Sequence, residues 1–289
     1  MRTEAVTSAS NPKIKQLLQL QEKSKLRRET GLFVVEGRRE IEHCLEGGFH
    51  IRTLFVCPEI AGEAAISGAF ARTVTPTGMP VGDPDGSRSD AEEMATLPEM
   101  VVELPESLYR KVAYRDSTEG VIAEVEYKSL GLEDLALGDN PLIVVLEAVE
   151  KPGNLGAVLR SADAAGADAV IVCDPLTDLY NPNLIRASVG AVFTVPTVVA
   201  SSEELIPWLK ERGIRILTAQ LQDSSLYYDY DMKGGTALVM GTESTGLSER
   251  WRQAADAHIR IPMLGRLDSL NVSVSAAILL FEAVRQRNR

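Results

Sequence analysis

Short apolar runs alternate with helix-like segments through the second half of the chain, and this alternation restricts the fold more than any other feature of the sequence. PLIVVLEA (141–148), ADAVIVCD (167–174), IRILTAQ (214–220), TALVMG (236–241) and HIRIPM (258–263) are strand-like runs stopped by glycine or polar residues. Between and after them, PGNLGAVLRSADAAGA (152–167), SSEELIPWLKERG (201–213) and SLNVSVSAAILLFEAVRQR (269–287) carry helical periodicity. Strands apolar on both sides and separated by helices imply an α/β domain whose mostly parallel sheet is covered on both faces.

The first half reads differently. Residues 11–29 form a polar helix with Ile14, Leu17 and Leu18 on one side and Gln21 at its edge. GLFVVEG (31–37) is a strand, RREIEHCLEGG (38–48) a helix closed by glycine, and IRTLFVC (51–57) a strand, which together make a βαβ start. TPTGMPVGDPDGSRSD (75–90) is a turn-rich loop, VIAEVEY (121–127) a strand, and KSLGLEDLALGDN (128–140) a connector. A boundary near 130 divides the chain into domains 1–130 and 131–289.

Several classes of function are excluded. No apolar run approaches the ~18 residues of a membrane span, and MRTEAVTSAS lacks a signal-peptide core. Cys44, Cys57 and Cys173 are far apart, and His43, His50 and His258 share no ligand spacing with them. A disulfide framework and a metal site are not expected, and a cytoplasmic location fits. The net charge of −11 argues against a polyanionic partner taken whole, but residues 1–56 carry ten basic against seven acidic side chains. Lys25, Arg27, Arg28, Arg38 and Arg39 belong to that local excess and are candidate phosphate contacts, with an ordinary solvated helical face as the alternative.

Ligands of open parallel sheets bind beyond the carboxyl ends of the strands, and three segments place polar groups there. In PGNLGAVLRSADAAGA, Asn154 reads as the helix cap, and Arg160 leans back over Gly156, which leaves a gap for an anion beside free backbone N–H groups. The competing reading is a surface pair between Arg160 and Asp163. In GTESTGLSE (241–249), Gly241 admits a ligand to the backbone, and Glu243 accepts a hydrogen bond or caps a helix starting near Ser248. In LDSLNVSVSAAILLFEA (267–283), Leu270, Val274, Ala277, Ile278 and Phe281 form one apolar stripe, and Val272, Leu279, Leu280 and Ala283 a second. One stripe faces the core, and the other suggests a subunit interface. Ser269, Asn271 and Ser273 are either ligand contacts or the cap of a core helix. No GxGxxG follows the first strand of this half, and no GxxxxGK[ST] or GxSxG occurs.

Taken together, PGNLGAVLRSADAAGA, VMGTESTGLS and IPMLGRLDSLNVSVSAAILLFE resemble, in order and spacing, the three motifs of the SpoU/TrmH family of RNA ribose 2′-O-methyltransferases, within the SPOUT superfamily. YNPNLIRASVGAVFTVP (180–196) is similar to the family's intervening segment, and GLFVVEGRREIEHCLEGG with RTLFV to its L30e-like substrate-binding domain. Departures are Ala157 and Ser161, where the family often has threonine, and Gly241-Thr242-Glu243-Ser244 in place of Gly-Asn-Glu-Gly.

The resemblance implies S-adenosylmethionine as methyl donor with no metal, a deep trefoil knot in the C-terminal domain, a homodimer through that domain, and rRNA, with tRNA second, as substrate. It assigns Arg160, Asn154, Glu243, Ser269 and Asn271 to catalysis, with Arg160 either an electrostatic clamp or a base. Thr218, Ala219, Gly241, Ile261, Met263, Ser269 and Leu270 are then the donor-binding positions. The alternative functions are a non-catalytic RNA-binding or ribosome-assembly protein that keeps the fold, and an unrelated α/β nucleotide-binding enzyme.

Overall fold

The computed structural model describes residues 2–62, 98–115, 118–242 and 245–288, so the 75–90 loop and Glu243 lie outside the described residues. Two compact units are present: Met1–Lys128 with Tyr180–Arg186, and Ser129–Leu179 with Ala187–Arg289.

The first unit holds β1 (Arg2–Ala5), β2 (Leu32–Glu36), β3 (Ile51–Val56), β4 (Met100–Glu103) and β5 (Val121–Glu126), in the order β1-β4-β3-β5-β2. β4 is parallel to β1 and β3, whereas β5 is antiparallel to β3 and β2. The expected βαβ start is therefore open: β2 and β3 run the same way, but β5 lies between them. The polar helix expected over 11–29 is two helices, α1 (Pro12–Glu22) and α2 (Ser24–Thr30), separated by Lys23 in an extended conformation. Further along come α3 (Arg38–Glu46), α4 (Pro58–Ala61) and α5 (Glu106–Val112). Asn11 caps α1 by accepting from Lys13 N at 2.9 Å. At the other end, the buried Arg27 guanidinium donates to Leu20 O (2.6 Å) and Gln21 O (3.2 Å), meeting carbonyls that the helix itself leaves open. Ile14, Leu17 and Leu20 enter a core with Phe55, Val102, Tyr109 and Ile122, while Leu18 is only partly buried.

The second unit is built on a seven-stranded sheet. Its strands are β6 (Leu142–Glu147), β7 (Ala169–Cys173), β8 (Thr197–Ala200), β9 (Arg215–Ala219), β10 (Ser225–Leu226), β11 (Thr236–Met240) and β12 (Ala257–Arg260), in the order β10-β12-β9-β11-β6-β7-β8. Every pairing is parallel, as the apolar runs require. β8 and β10 were not expected. β12 stops before Ile261 and does not run to Met263, since Pro262 has no N–H to give a ladder.

Helices cover both faces of this sheet: α6 (Pro152–Ala165), α7 (Ser202–Glu211), α8 (Glu249–Ala254) and α9 (Val272–Arg287). On one face, Ile143, Val145, Ile171 and Val239 pack with Leu205, Trp208, Leu209 and Trp251, the two tryptophans coming from α7 and α8. On the other, α6 packs against α9, α6 touching β7 and α9 touching β11. α9 buries Val272, Leu279, Leu280 and Ala283, the second of the two stripes, together with Ala276, and leaves Val274 and Phe281 of the first about half exposed. Among the described residues, no helix is long and apolar enough to cross a membrane, and Cys44, Cys57 and Cys173 are buried free thiols.

Candidate active site

β9, β11 and β12 are neighbours and run in the same direction, so the loops leaving their carboxyl ends converge. A cavity of about 400 Å³ lies there, a size suited to a small-molecule ligand. Its wall takes Ala219 and Gln220 at the end of β9, Met240, Gly241 and Thr242 at the end of β11, and Ile259 to Ile261 and Met263 at the end of β12. Ser269, Leu270 and Val272, where the chain turns into α9, close it.

Of the expected donor positions, Ala219, Gly241, Ile261, Met263, Ser269 and Leu270 line this cavity and Thr218 does not. Adjacent strand residues point to opposite faces. The Thr218 side chain is fully buried, with Oγ1 2.6 Å from His258 Nδ1.

One glycine reading is corrected, and a second glycine has a packing reason beside the expected one. A β-carbon on Gly156 would lie 2.6 Å from the Ala187 Cβ and 2.8 Å from Ser188 N, so the expected gap is filled by the chain's own backbone. A β-carbon on Gly241 would lie 2.6 Å from Leu247 N and would also strike Gly246. Gly241 is therefore required by the returning strand of its own loop, where Thr242 bridges to Gly246, and it also lies in the cavity wall. Ser248 does stand at the N-cap of α8, but its backbone N–H is met by the Glu147 carboxylate at 2.8 Å.

Asn154 is the third residue of α6 and not its cap, because Pro152 takes the first helical position, where its missing N–H costs nothing. Its Oδ1 instead accepts from Asn271 Nδ2 at 3.1 Å. Asn271 caps α9, its Oδ1 accepting from Ser273 N (2.9 Å) and Ser273 Oγ (2.6 Å). Of the two readings of this segment, Asn271 and Ser273 make the helix cap, while Ser269 lines the cavity. Arg160 is exposed on α6 and is not part of the cavity wall. Among the described residues it has no side-chain hydrogen bond or ion pair, and Asp163 is not its partner.

Three polar features were missed from the sequence. Glu147, at the carboxyl end of β6, is buried and ties that strand to the start of α8. Arg252 and Gln220 line the cavity, and Arg252 Nε and Gln220 Oε1 are buried with no hydrogen-bond partner among the described residues. The sequence offered a signal only for Glu147, an acid ending an otherwise apolar strand. At the end of β7, burial first and Asp174 second push the Cys173 thiol up to about 12, which rules out thiolate chemistry there.

In the first unit, Lys25, Arg28 and Arg39 are exposed, with Lys25 Nζ 3.7 Å from a Glu29 carboxylate oxygen. Arg27 is 2% exposed and is spent on the end of α1, so it cannot contact a phosphate. Arg38 is partly buried, its guanidinium donating to Ala61 O and its backbone N–H to Glu119. His50 pairs with Glu126 at 3.3 Å, and with Glu99 their ligand atoms fall within 4.8 Å of one another.

Residues 141–281 match the SpoU rRNA Methylase family, and residues 11–123 match the MRM3-like substrate binding domain. The 23S rRNA (uridine(2479)-2′-O)-methyltransferase of Streptomyces viridochromogenes is 32% identical over 268 residues, 90% of this chain and 85% of that protein. A crystal structure of an RNA 2′-O ribose methyltransferase is 37% identical, covers 99% of this chain and 100% of its own, and superposes with a TM-score of 0.76. The AdoMet-bound rRNA methyltransferase from Sinorhizobium meliloti is 30% identical, with 98% of each chain covered and a TM-score of 0.82.

Proposed function

The chain belongs to the SpoU rRNA methylase family, and from that membership we propose that it transfers a methyl group from S-adenosylmethionine to the 2′-hydroxyl of a ribose in rRNA. The observation that carries this reading is the cavity at the carboxyl ends of β9, β11 and β12, entered by the same segment that joins Asn271 to Asn154. Its residues suit a donor with both apolar and polar parts: Met240, Leu247, Ile259 and Leu279 offer apolar surface, and Arg252 Nε and Gln220 Oε1 offer polar atoms unmet among the described residues. Bound there, the donor supplies an electrophilic methyl carbon on a sulfonium.

The residues of the chain position and stabilise. Ala219, Gly241, Ile261, Met263, Ser269 and Leu270 hold the donor. Asn271 and Asn154 fix the ribose so that its 2′ oxygen lies in line with the methyl carbon. For transfer, the O–C bond would form as the S–C bond breaks to release S-adenosylhomocysteine, and the hydroxyl proton would pass to water. Arg160 clamps the neighbouring RNA phosphate and stabilises the negative charge that develops on oxygen. An arginine stays protonated under ordinary conditions, which favours this role over that of a base.

Three further assignments belong to the same proposal. The first unit supplies RNA affinity through Lys25, Arg28 and Arg39, by phosphate attraction that weakens with salt. A second copy of the chain covers Val274 and Phe281 of α9, giving a homodimer. The second unit carries the trefoil knot, and the protein acts in the cytoplasm.

The test is transfer of labelled methyl from S-adenosylmethionine to rRNA isolated from cells lacking this gene, followed by nucleoside analysis. A labelled 2′-O-methylnucleoside in rRNA is the expected product. Label in tRNA alone would move the substrate, and a chain that binds the donor but labels neither RNA would overturn the reaction.

A further inference from the structure

Arg252 carries a full positive charge and stands at the cavity without a side-chain hydrogen bond or ion pair among the described residues. Its position is not the accident of a loose surface residue. The neighbouring Trp251 is fully buried, and its indole N–H donates to Ser202 Oγ at 3.0 Å. Ser202 Oγ in turn donates to the Asp174 carboxylate at 2.7 Å, so the turn of α8 that carries the arginine is anchored to the end of β7. Gln220 is fixed similarly: its backbone N–H donates to Ile259 O (3.0 Å) and its side-chain N–H to Gln222 O (2.9 Å). That arrangement uses the donor end of the amide and leaves the acceptor, Oε1, buried at the cavity and unmet among the described residues.

Buried polar atoms are nearly always paired, and Arg252 Nε, on a half-buried side chain, and Gln220 Oε1 are exceptions among the described residues. Two such atoms on one cavity, one a cationic donor and the other a pure acceptor, describe a ligand of the opposite pattern. On the reading that this cavity holds S-adenosylmethionine, we propose that Arg252 and Gln220 recognise the amino-acid end of the donor, Arg252 donating to its carboxylate and Gln220 Oε1 accepting from its ammonium. Adenine also pairs a donor with an acceptor on one edge, but it is neutral and would leave the Arg252 charge uncompensated. A guanidinium and a carboxylate compensate each other and form the stronger, charge-assisted bond. Arg260 also lines the cavity, but its guanidinium already has Ser224 Oγ at 3.5 Å, and it is a weaker candidate for the same role.

The experiment is calorimetric titration of the full chain and of Arg252→Met and Gln220→Leu with two probes. S-Adenosylhomocysteine keeps the amino-acid end, and 5′-methylthioadenosine lacks it. Each substitution is expected to weaken S-adenosylhomocysteine about tenfold to a hundredfold, the range of a hydrogen bond to a charged group, and to leave 5′-methylthioadenosine within about twofold. Equal weakening of both probes would transfer the two residues to the adenosine part and overturn the assignment. Unchanged binding of both would reduce the two atoms to sites for ordered water and overturn it as well. The two variants lie on different elements, so a poor fold in one, seen in its thermal melt, leaves the other decisive. Failure of the unaltered chain to bind either probe would instead remove the donor reading on which the assignment rests.

Discussion

Asn271 Nδ2 donates to Asn154 Oδ1 across 3.1 Å, joining the first turn of α6 to the cap of α9 over a separation of 117 residues. The two atoms of the Asn271 amide have different tasks: Oδ1 caps α9 and Nδ2 reaches Asn154. Asn271→Asp separates them, because aspartate caps a helix as well as asparagine but cannot donate. The expected result is a melting temperature close to that of the parent chain, with methyl transfer to rRNA lowered about tenfold or more. Parent-level transfer by this variant would show that the asparagine pair only builds the fold.

Arg160 is exposed, lies outside the cavity wall and has no partner among the described residues, so its removal should cost neither stability nor donor affinity. Arg160→Ala is expected to bind S-adenosylhomocysteine normally and to transfer methyl at least ~100-fold more slowly, the scale of losing one preorganised electrostatic group. Near-parent turnover in a labelled-methyl assay would end its catalytic role.

Gly156 offers a test whose sign decides. If the space above it were vacant, Gly156→Ala would stabilise α6 by about 1 kcal/mol through helix propensity alone. The structure instead puts the new methyl 2.6 Å from the Ala187 Cβ. Overpacking of this kind costs about 1–3 kcal/mol, so chemical denaturation should show a less stable protein.

How much could be read beforehand follows from which forces are local. β6, β7, β9 and β11 were legible because burial on both faces makes a strand apolar throughout. β8 was not, since Val199 and Ala200 are exposed or half-exposed and its run is short, and the two residues of β10 carry no pattern at all. The break between α1 and α2 depends on Arg27 folding back onto Leu20 O, an interaction that periodicity cannot register. In the cavity, the positions at strand ends were legible from topology, although the wall begins at Ala219, one residue after Thr218. The roles of Arg252 and Gln220 were hidden for a different reason. What marks them is that Arg252 Nε and Gln220 Oε1 have no partner among the described residues, and partners are known only once the chain is folded.

Glu124 links burial to pH. It is 5% exposed on β5, and burial pushes its carboxyl up to about 7, while Thr53 and the charges of Arg52 and Lys13 pull it down. From its ordinary value of 4.5 up to about 7, the unfolded chain releases a proton that the folded chain keeps. This group's contribution to stability is therefore full below 4.5, falls as pH rises through that window, and is constant above it. Glu124→Gln has no proton to lose. In urea denaturation it should match the parent near pH 4 and exceed it at pH 8, by on the order of 2–4 kcal/mol. Parallel pH profiles for the two proteins would contradict the buried, protonated state.

The basic residues of the first unit separate by burial, and so should their effects on RNA. Arg28 and Arg39 are exposed and free to meet phosphates, whereas the Arg27 guanidinium holds the end of α1. Replacing Arg28 and Arg39 together with alanine is expected to leave the thermal melt unchanged. It should weaken rRNA binding and reduce the slope of log affinity against log salt by roughly 0.7–0.9 for each phosphate that is no longer neutralised. Arg27→Met should do the reverse. The carbonyls of Leu20 and Gln21 lose their donor, at a cost of about 1–3 kcal/mol in stability, while the protein that remains folded keeps the parent salt slope. A salt slope that responds to Arg27 and not to Arg28 or Arg39 would mean that the surface of α2 and α3 is not where this chain meets RNA.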